Sequence, residues 1–211
     1  MLHQLHAMGV PLRALHVNHG LSPNAAKWQR FCGALCARLG IPLTTIRTRV
    51  LKKGKGLEAA AREARYAAFQ KAKPGTLALA HHLDDQAETV LFNLLRGTGP
   101  GGASGMAADG KRGGLRILRP LLSVPRDAIL AYAKAHRLRW VEDESNEDEA
   151  LTRNFIRRRV GPLLESRFPR WRESLARAAR HFAAKELDGK RLLRAFLAEK
   201  GLRAPSEARL L

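Results

Sequence analysis

The chain has 211 residues, 45% of them hydrophobic, so it can bury a core and is long enough for one domain plus part of another; a disordered tail is excluded. Lys and Arg outnumber Asp and Glu by 38 to 19, a net charge of +19, which makes a polyanion the first partner to expect. No apolar run approaches the ~20 residues that a bilayer span needs, and no charged-then-apolar signal opens the chain, so no membrane partner and a cytoplasmic location are expected.

Residues Met1 to Met8 read as the end of a helix, and Pro11 to Val17 as a strand leading into Asn18-His19-Gly20. A helix is predicted over 24–39, with Trp28, Phe31, Cys32, Leu35 and Leu39 at helical spacing. Cys32 and Cys36 lie four apart within it. That spacing suits neither a disulfide framework nor a paired metal site, so both are expected as small core residues. Ile41 to Val50 is β-branched and reads as a second strand; Glu58 to about Lys71 is rich in strong helix formers. Thr76 to Ala80, short, uncharged and preceded by Pro74-Gly75, is predicted as a fully buried strand.

The stretch Ala80-His81-His82-Leu83-Asp84-Asp85-Gln86-Ala87-Glu88-Thr89 begins where that strand ends and runs into a helix carrying three acids. At ~100° per residue, Asp84, Asp85 and Glu88 occupy an arc roughly 100° wide, beside an apolar stripe of Ala87, Val90, Leu91, Leu94 and Leu95. The acids therefore border the buried face. The carboxyl end of a parallel strand is where ligands sit in open sheets, and carboxylates placed there handle a metal ion or a cationic substrate. The structural alternative is simple capping, since first-turn acids gain ~0.3–1 kcal/mol each from the helix dipole.

Gly97-Thr98-Gly99-Pro100-Gly101-Gly102 matches G-x-G-x-x-G literally, but it follows a helix and contains Pro, so it reads as a loop and not a dinucleotide site. Leu115 to Leu122 is a further strand, and Ser123 is expected to cap a helix running through Pro125 to about Ala135. Alternation of strand and helix with short connections predicts an α/β fold, a doubly wound parallel sheet covered on both faces. The acidic run from Glu142 to Glu149 is followed by a sign change in Arg153 to Val160, predicted as a helix with Arg153, Ile156, Arg157, Val160 and Leu164 on or beside one side and Arg158 further round. From Trp171 the chain is helical and basic, with a breaker expected at Asp188-Gly189. Residues 151–211 hold 16 Lys and Arg against 6 Asp and Glu, so this end is expected to face nucleic acid, with salt-dependent binding.

Five segments in order resemble the tRNA(Ile)-lysidine synthetases of the PP-loop ATPase superfamily. They are Leu15-His16-Val17-Asn18-His19-Gly20-Leu21; Glu58-Ala59 with Ala64-Arg65-Tyr66-Ala67-Ala68-Phe69; the Ala80 to Thr89 stretch; Arg96-Gly97-Thr98-Gly99 with Arg119-Pro120-Leu121-Leu122; and Trp140-Val141-Glu142-Asp143-Glu144-Ser145-Asn146 with Arg153-Asn154-Phe155-Ile156-Arg157. The resemblance implies a PP-loop ATPase-like domain over 1–165, then a basic helical linker and the start of a tRNA-binding region over 166–211. It implies a ligase that uses ATP and Mg2+ to adenylate C2 of the wobble cytidine in tRNA(Ile) with a CAU anticodon, after which free L-lysine displaces AMP. A cytidine carbonyl oxygen becomes a good leaving group only as a phosphate ester, so nucleotide, magnesium and a charge-stabilising Arg are needed together.

By the same resemblance Asp85, Glu88 and Arg65 are the catalytic candidates. Whether Asp85 and Glu88 hold magnesium or orient the lysine ammonium is left open by the residues. His16, His19, His81 and His82 are expected to line the nucleotide pocket, and Arg153, Asn154, Arg157 and Arg158 to contact tRNA. A homodimer is compatible with the sequence. The family's Ser-Gly-Gly-x-Asp-Ser loop does not occur, so the first strand and ATP loop are expected to be missing, most of the C-terminal domain with them, and ATP binding and ligation by this chain to be weak. Two other readings stand beside this one: a non-catalytic tRNA-binding fragment, and another PP-loop tRNA-modifying enzyme such as a thiolase, for which Cys32 and Cys36 have the wrong spacing.

Overall fold

The computed structural model describes residues 1–50, 56–73 and 75–199. In chain order the elements are α1 Leu2–Ala7, β1 Ala14–Asn18, α2 Ala25–Arg38, β2 Leu43–Arg47, α3 Leu57–Ala72, β3 Thr76–Ala78, α4 Leu83–Leu95, α5 Pro100–Ala103, β4 Asp109–Arg112, β5 Leu115–Leu118 and α6 Arg126–Ala135. A 3-10 turn at Glu144–Glu147, α7 Thr152–Phe155, a π turn at Ile156–Val160, α8 Gly161–Arg167 and α9 Trp171–Glu199 complete the described chain. The fold is α/β, with parallel strands joined through helices and a helical segment after them, as the sequence pattern predicts.

The described residues divide into two compact units. The first comprises Met1–Ala80, Ala108–Leu121 and Ala133–Asp143. It contains both sheets: β1 pairs parallel with β2, Ala14 opposite Leu43, and a second sheet has the order β3-β5-β4. β3 and β5 are parallel, and Leu79 extends the ladder by donating its N–H to the Leu118 carbonyl. The core gathers Tyr66 and Phe69 from α3 with Leu77, Leu115 and Ile117, and the half-buried Leu15, Val17 and Leu79 pack against it. Cys36 is buried and Cys32 half-buried on α2; burial pushes both thiols up, which suits the core role expected of them.

Two departures from the sequence pattern in this unit have local causes. β3 is not fully buried: only Leu77 is, because the strand has a neighbour on one edge alone. The sheet is not purely parallel, since β4 pairs antiparallel with β5 through Gly113-Gly114, both at positive φ. Such a turn matches the right-handed twist of a hairpin, and glycine pays no steric penalty there.

The second unit comprises His81–Ala107, Leu122–Tyr132 and the described residues from Glu144 onward. Its core is built from Leu83, Ala87 and Val90 of α4, Ala103 of α5, Ile156, and Trp171, Ala176 and Ala179 of α9. The small residues at 87, 176 and 179 let α4 and α9 pack closely. α9 runs unbroken through Asp188-Gly189, where the sequence suggests a stop. One glycine costs about 1 kcal/mol in a helix, too little to break one otherwise rich in strong helix formers, and the Glu186–Lys190 ion pair at 2.7 Å spans the spot. Residues 97–102, read as loop, include the short α5, which begins at Pro100 as helix starts allow.

Candidate functional site

The acidic helix α4 starts at His82, whose backbone N–H donates to Asp85 Oδ2 at 3.1 Å. Asp84 and Asp85 fall in its first turn and Glu88 one turn on, which turns Glu88 inward: it is 3% exposed, although charged. A carboxylate so buried needs a partner. Arg157 supplies it. Its Nε and a terminal nitrogen donate to the two oxygens of Glu88 at 2.7 and 2.9 Å, a bidentate pair, while the same terminal nitrogen lies 3.4 Å from Asp85 Oδ1. Hydrogen bonding to Glu88 raises the Arg157 pKa, against burial and together with the charges of Glu88, Asp85 and Asp84.

Arg157 comes from the π turn that follows α7, a widened turn found frequently at functional sites. One α-helical turn earlier, Arg153 donates to Thr89 Oγ1 and approaches the Asp85 carbonyl at 3.5 Å. Ile156, between them in sequence, is 1% exposed and anchors the segment in the core. The structure thus brings Asp85 and Glu88 of α4 together with Arg153 and Arg157. Arg158 points elsewhere, pairing with Glu149 at 3.3 Å. Asn154 is buried and its amide donates to the carbonyls of Ser145 and Asp148 at 2.7 and 2.9 Å, closing the acidic turn onto α7.

Asp84 has a different task. It accepts from the Arg126 N–H at 3.0 Å and pairs with Arg172 Nε at 3.1 Å, so it fastens the starts of α6 and α9 to α4. Burial would raise its pKa, but the adjacent His82 ring, the hydrogen bond from the Arg126 amide and the charge of Arg172 outweigh burial and hold it at about 2. Among the described residues the side-chain acceptor at the start of α6 is thus Asp84, not Ser123 as the sequence suggests.

Sequence reasoning passes over two residues of this helix. Gln86 is 5% exposed; its side-chain oxygen accepts from the Met106 N–H at 2.8 Å and its nitrogen donates to the Met106 carbonyl at 3.1 Å. Asn93 donates to the Gly102 carbonyl at 2.8 Å. Together they staple the glycine-rich segment to α4. A polar residue on the apolar side of a helix is the signal that would have found Gln86.

The remaining candidates fall as follows. In the first unit, His16 and His19 are half-buried at the end of β1, and burial lowers both pKa values, helped at His16 by His19 and at His19 by Arg65 against Asp143. Arg65 is exposed on α3 and close enough to His19 to act on it. In the second unit, His81 is half-buried and His82 lies with its ring nitrogens 3.6 and 3.5 Å from Asp84 and Asp85. Nδ1 of His19 and Nδ1 of His82 are buried without a hydrogen-bond partner, each in its own unit.

A buried glutamate and a half-buried aspartate near a helix start, clamped by arginines from a later element, concentrate charge at one place. The chain belongs to the PP-loop domain family, whose profile matches residues 1–164. It is similar to the tRNA(Ile)-lysidine synthase of Shigella flexneri, 47% identical over 193 residues, which is 88% of this chain and 45% of that protein. Similarity to the tRNA(Ile)-lysidine synthase of Salmonella dublin is 49% over 179 residues, 84% of this chain and 42% of that one. The chain thus spans less than half the length of these curated relatives. A U34-tRNA thiolase from Methanococcus maripaludis shares the fold at a TM-score of 0.63 and 19% identity, over 81% of this chain and 60% of that structure.

Proposed function

We propose that the chain is the catalytic part of a lysidine ligase, joining free L-lysine to C2 of the wobble cytidine of tRNA(Ile) with a CAU anticodon at the expense of ATP, in the cytoplasm. Residues 1–165 form the catalytic domain in this reading and 166–211 begin the tRNA-binding region. The observation that carries it is the cluster of Asp85, Glu88, Arg153 and Arg157, found in a chain nearly half identical to enzymes named for this reaction.

The two carboxylates are unequally committed. Glu88 is saturated by Arg157, whereas Asp85 has one oxygen on a backbone amide, 3.5 Å from His82 Nε2, and a long contact to Arg157 on the other. Asp85 is therefore the carboxylate free to receive a cation, the lysine ammonium or Mg2+, and Glu88 is the group that orients Arg157. Carboxylate oxygens suit Mg2+, but no group of three His, Cys, Asp or Glu among the described residues could hold a metal, so the ion would draw its other ligands from phosphate and water. When bound it would neutralise phosphate charge. Within the first unit the orphaned Nδ1 of His19, with Arg65 near it, is suited to donate to or accept from a nucleotide. Arg153, whose hydrogen bonds go to neutral groups, presents positive charge to the tRNA phosphates, while Arg157 and Arg158 are held by Glu88 and Glu149.

The test is mass spectrometry of nuclease-digested tRNA(Ile) after incubation with ATP and lysine. Lysidine is expected in low yield, since the Ser-Gly-Gly-x-Asp-Ser loop does not occur in this chain, and it disappears in Asp85→Asn while tRNA binding persists. Product formed equally by Asp85→Asn, or without lysine, would overturn the proposal.

A further inference from the structure

Away from the acidic cluster, the second unit carries a groove of about 550 Å³ walled by Leu91 of α4, Leu164 of α8 and Trp171 and Leu175 of α9. Phe168 stands at its rim, 60% exposed. The backbone places the residue there: Phe168 leaves α8 at φ −132° and ψ 74°, and Pro169 bars a return to helix at the preceding residue. Arg167 and Arg170 flank it, both exposed, and neither guanidinium has a hydrogen bond or ion pair among the described residues. Arg157 and Arg172 differ, since each is spent on carboxylates of this unit. An apolar slot, an exposed ring and two uncommitted guanidinium groups fit an occupant with a flat apolar face and repeated negative charge.

We infer that this groove binds single-stranded RNA, a nucleobase stacking on Phe168 over the apolar walls while Arg167 and Arg170 take the adjoining phosphates. The inference rests on the tRNA reading above for its choice of polyanion, and adds a contact site remote in sequence from Asp85 and Glu88. Protein partners would need an acidic rim around an apolar knob; the charge balance of this end of the chain, 16 basic to 6 acidic residues over 151–211, favours nucleic acid at the groove in particular because its two arginines are unspent. Base stacking on an aromatic side chain is sequence-tolerant, so the site would grip a strand and leave the reading of the anticodon to other contacts.

The experiment measures fluorescence anisotropy of labelled oligocytidylate and of an abasic ribose-phosphate oligomer of equal length, across a salt series. The wild-type chain is expected to prefer oligocytidylate, and Phe168→Ala to lose about tenfold on that probe with no change on the abasic one. Phe168→Tyr retains the preference. The double variant Arg167→Gln/Arg170→Gln weakens both probes and flattens the salt slope by about 1.4, as expected for two phosphates on a single strand. Phe168 is exposed, so its replacement leaves folding intact, which circular dichroism checks. Equal binding of oligocytidylate by Phe168→Ala and wild type overturns the inference, as does a dimer in sedimentation that Phe168→Ala dissolves, which would make the groove a contact between copies. Lysidine formation that survives in Phe168→Ala alongside unchanged RNA binding sinks this inference alone; a wild-type chain that binds neither probe nor tRNA sinks the tRNA reading with it.

Discussion

Replacing Arg157 with Met tests the central feature of the acidic site. The substitution keeps the bulk of the side chain and removes the two donors on Glu88, whose side chain is only 4% exposed. Breaking a buried pair by deleting one partner costs ~3–5 kcal/mol, because the other charge stays buried without compensation. Arg157 is 36% exposed, which lets water reach the vacated side, so the lower end, about 3 kcal/mol, is expected. The assay is the urea midpoint of unfolding with the slope held in common. The double variant Arg157→Met/Glu88→Met should recover most of the loss, since a well-packed apolar pair can replace a buried ion pair without penalty. A loss under about 1 kcal/mol, or strictly additive single variants, would refute the claim that Arg157 is what permits a charged Glu88 inside this unit.

Acid should expose the role of Asp84. Its pKa in the folded chain, about 2, lies below the ordinary 3.8, so its contribution is complete above pH ~4 and is lost as pH falls through 2; about 1–2 kcal/mol is expected after solvent screening, and Asp84→Asn should flatten that part of the pH–stability curve. Gln86→Leu strands the Met106 N–H and carbonyl, with an expected loss of ~1–3 kcal/mol in chemical denaturation and faster proteolysis within 97–106; unchanged cleavage would show that the staple is dispensable. Gly189→Ala should raise stability by about 0.5–1 kcal/mol in thermal melts, because α9 continues through that exposed position; no gain would mean that the helix does not persist there in solution.

The elements were legible where one physical rule acted alone. Helical spacing located α2, α3 and α4, and the position of Glu88 one turn beyond Asp84 placed it beside the apolar stripe, though not as deeply as the structure puts it. Pairing was harder to read. β4 is Asp-Gly-Lys-Arg, with no strand-like residues, and becomes a strand because Gly113-Gly114 folds it back on Leu115–Leu118 and because the Gly113 carbonyl accepts from Gln70. Gly189 misled in the opposite direction: a local propensity of about 1 kcal/mol was overridden by the helix around it. The site shows the same division. A sequence resemblance can nominate Arg153, Asn154, Arg157 and Arg158 together, but only geometry separates two arginines that face α4 from an asparagine buried under the acidic turn and an arginine paired with Glu149.

That separation carries through to the chemistry of the two carboxylates. If both simply held a cation, Asp85→Asn and Glu88→Gln would have the same consequence. Glu88 instead accepts both strong bonds from Arg157, so Glu88→Gln removes charge from the pair, frees one Arg157 nitrogen and lets the guanidinium leave its position between α4 and the π turn. Asp85→Asn leaves that pair intact and removes only the less committed carboxylate. Glu88→Gln should therefore lower stability by about 1–3 kcal/mol and turnover with it, whereas Asp85→Asn should abolish turnover with a stability loss below about 1 kcal/mol. Urea midpoints and lysidine yield measured on the same preparations decide it. Identical losses of stability for the two variants would mean that the acids act as one unit and that Asp85 has no cation to receive apart from Arg157.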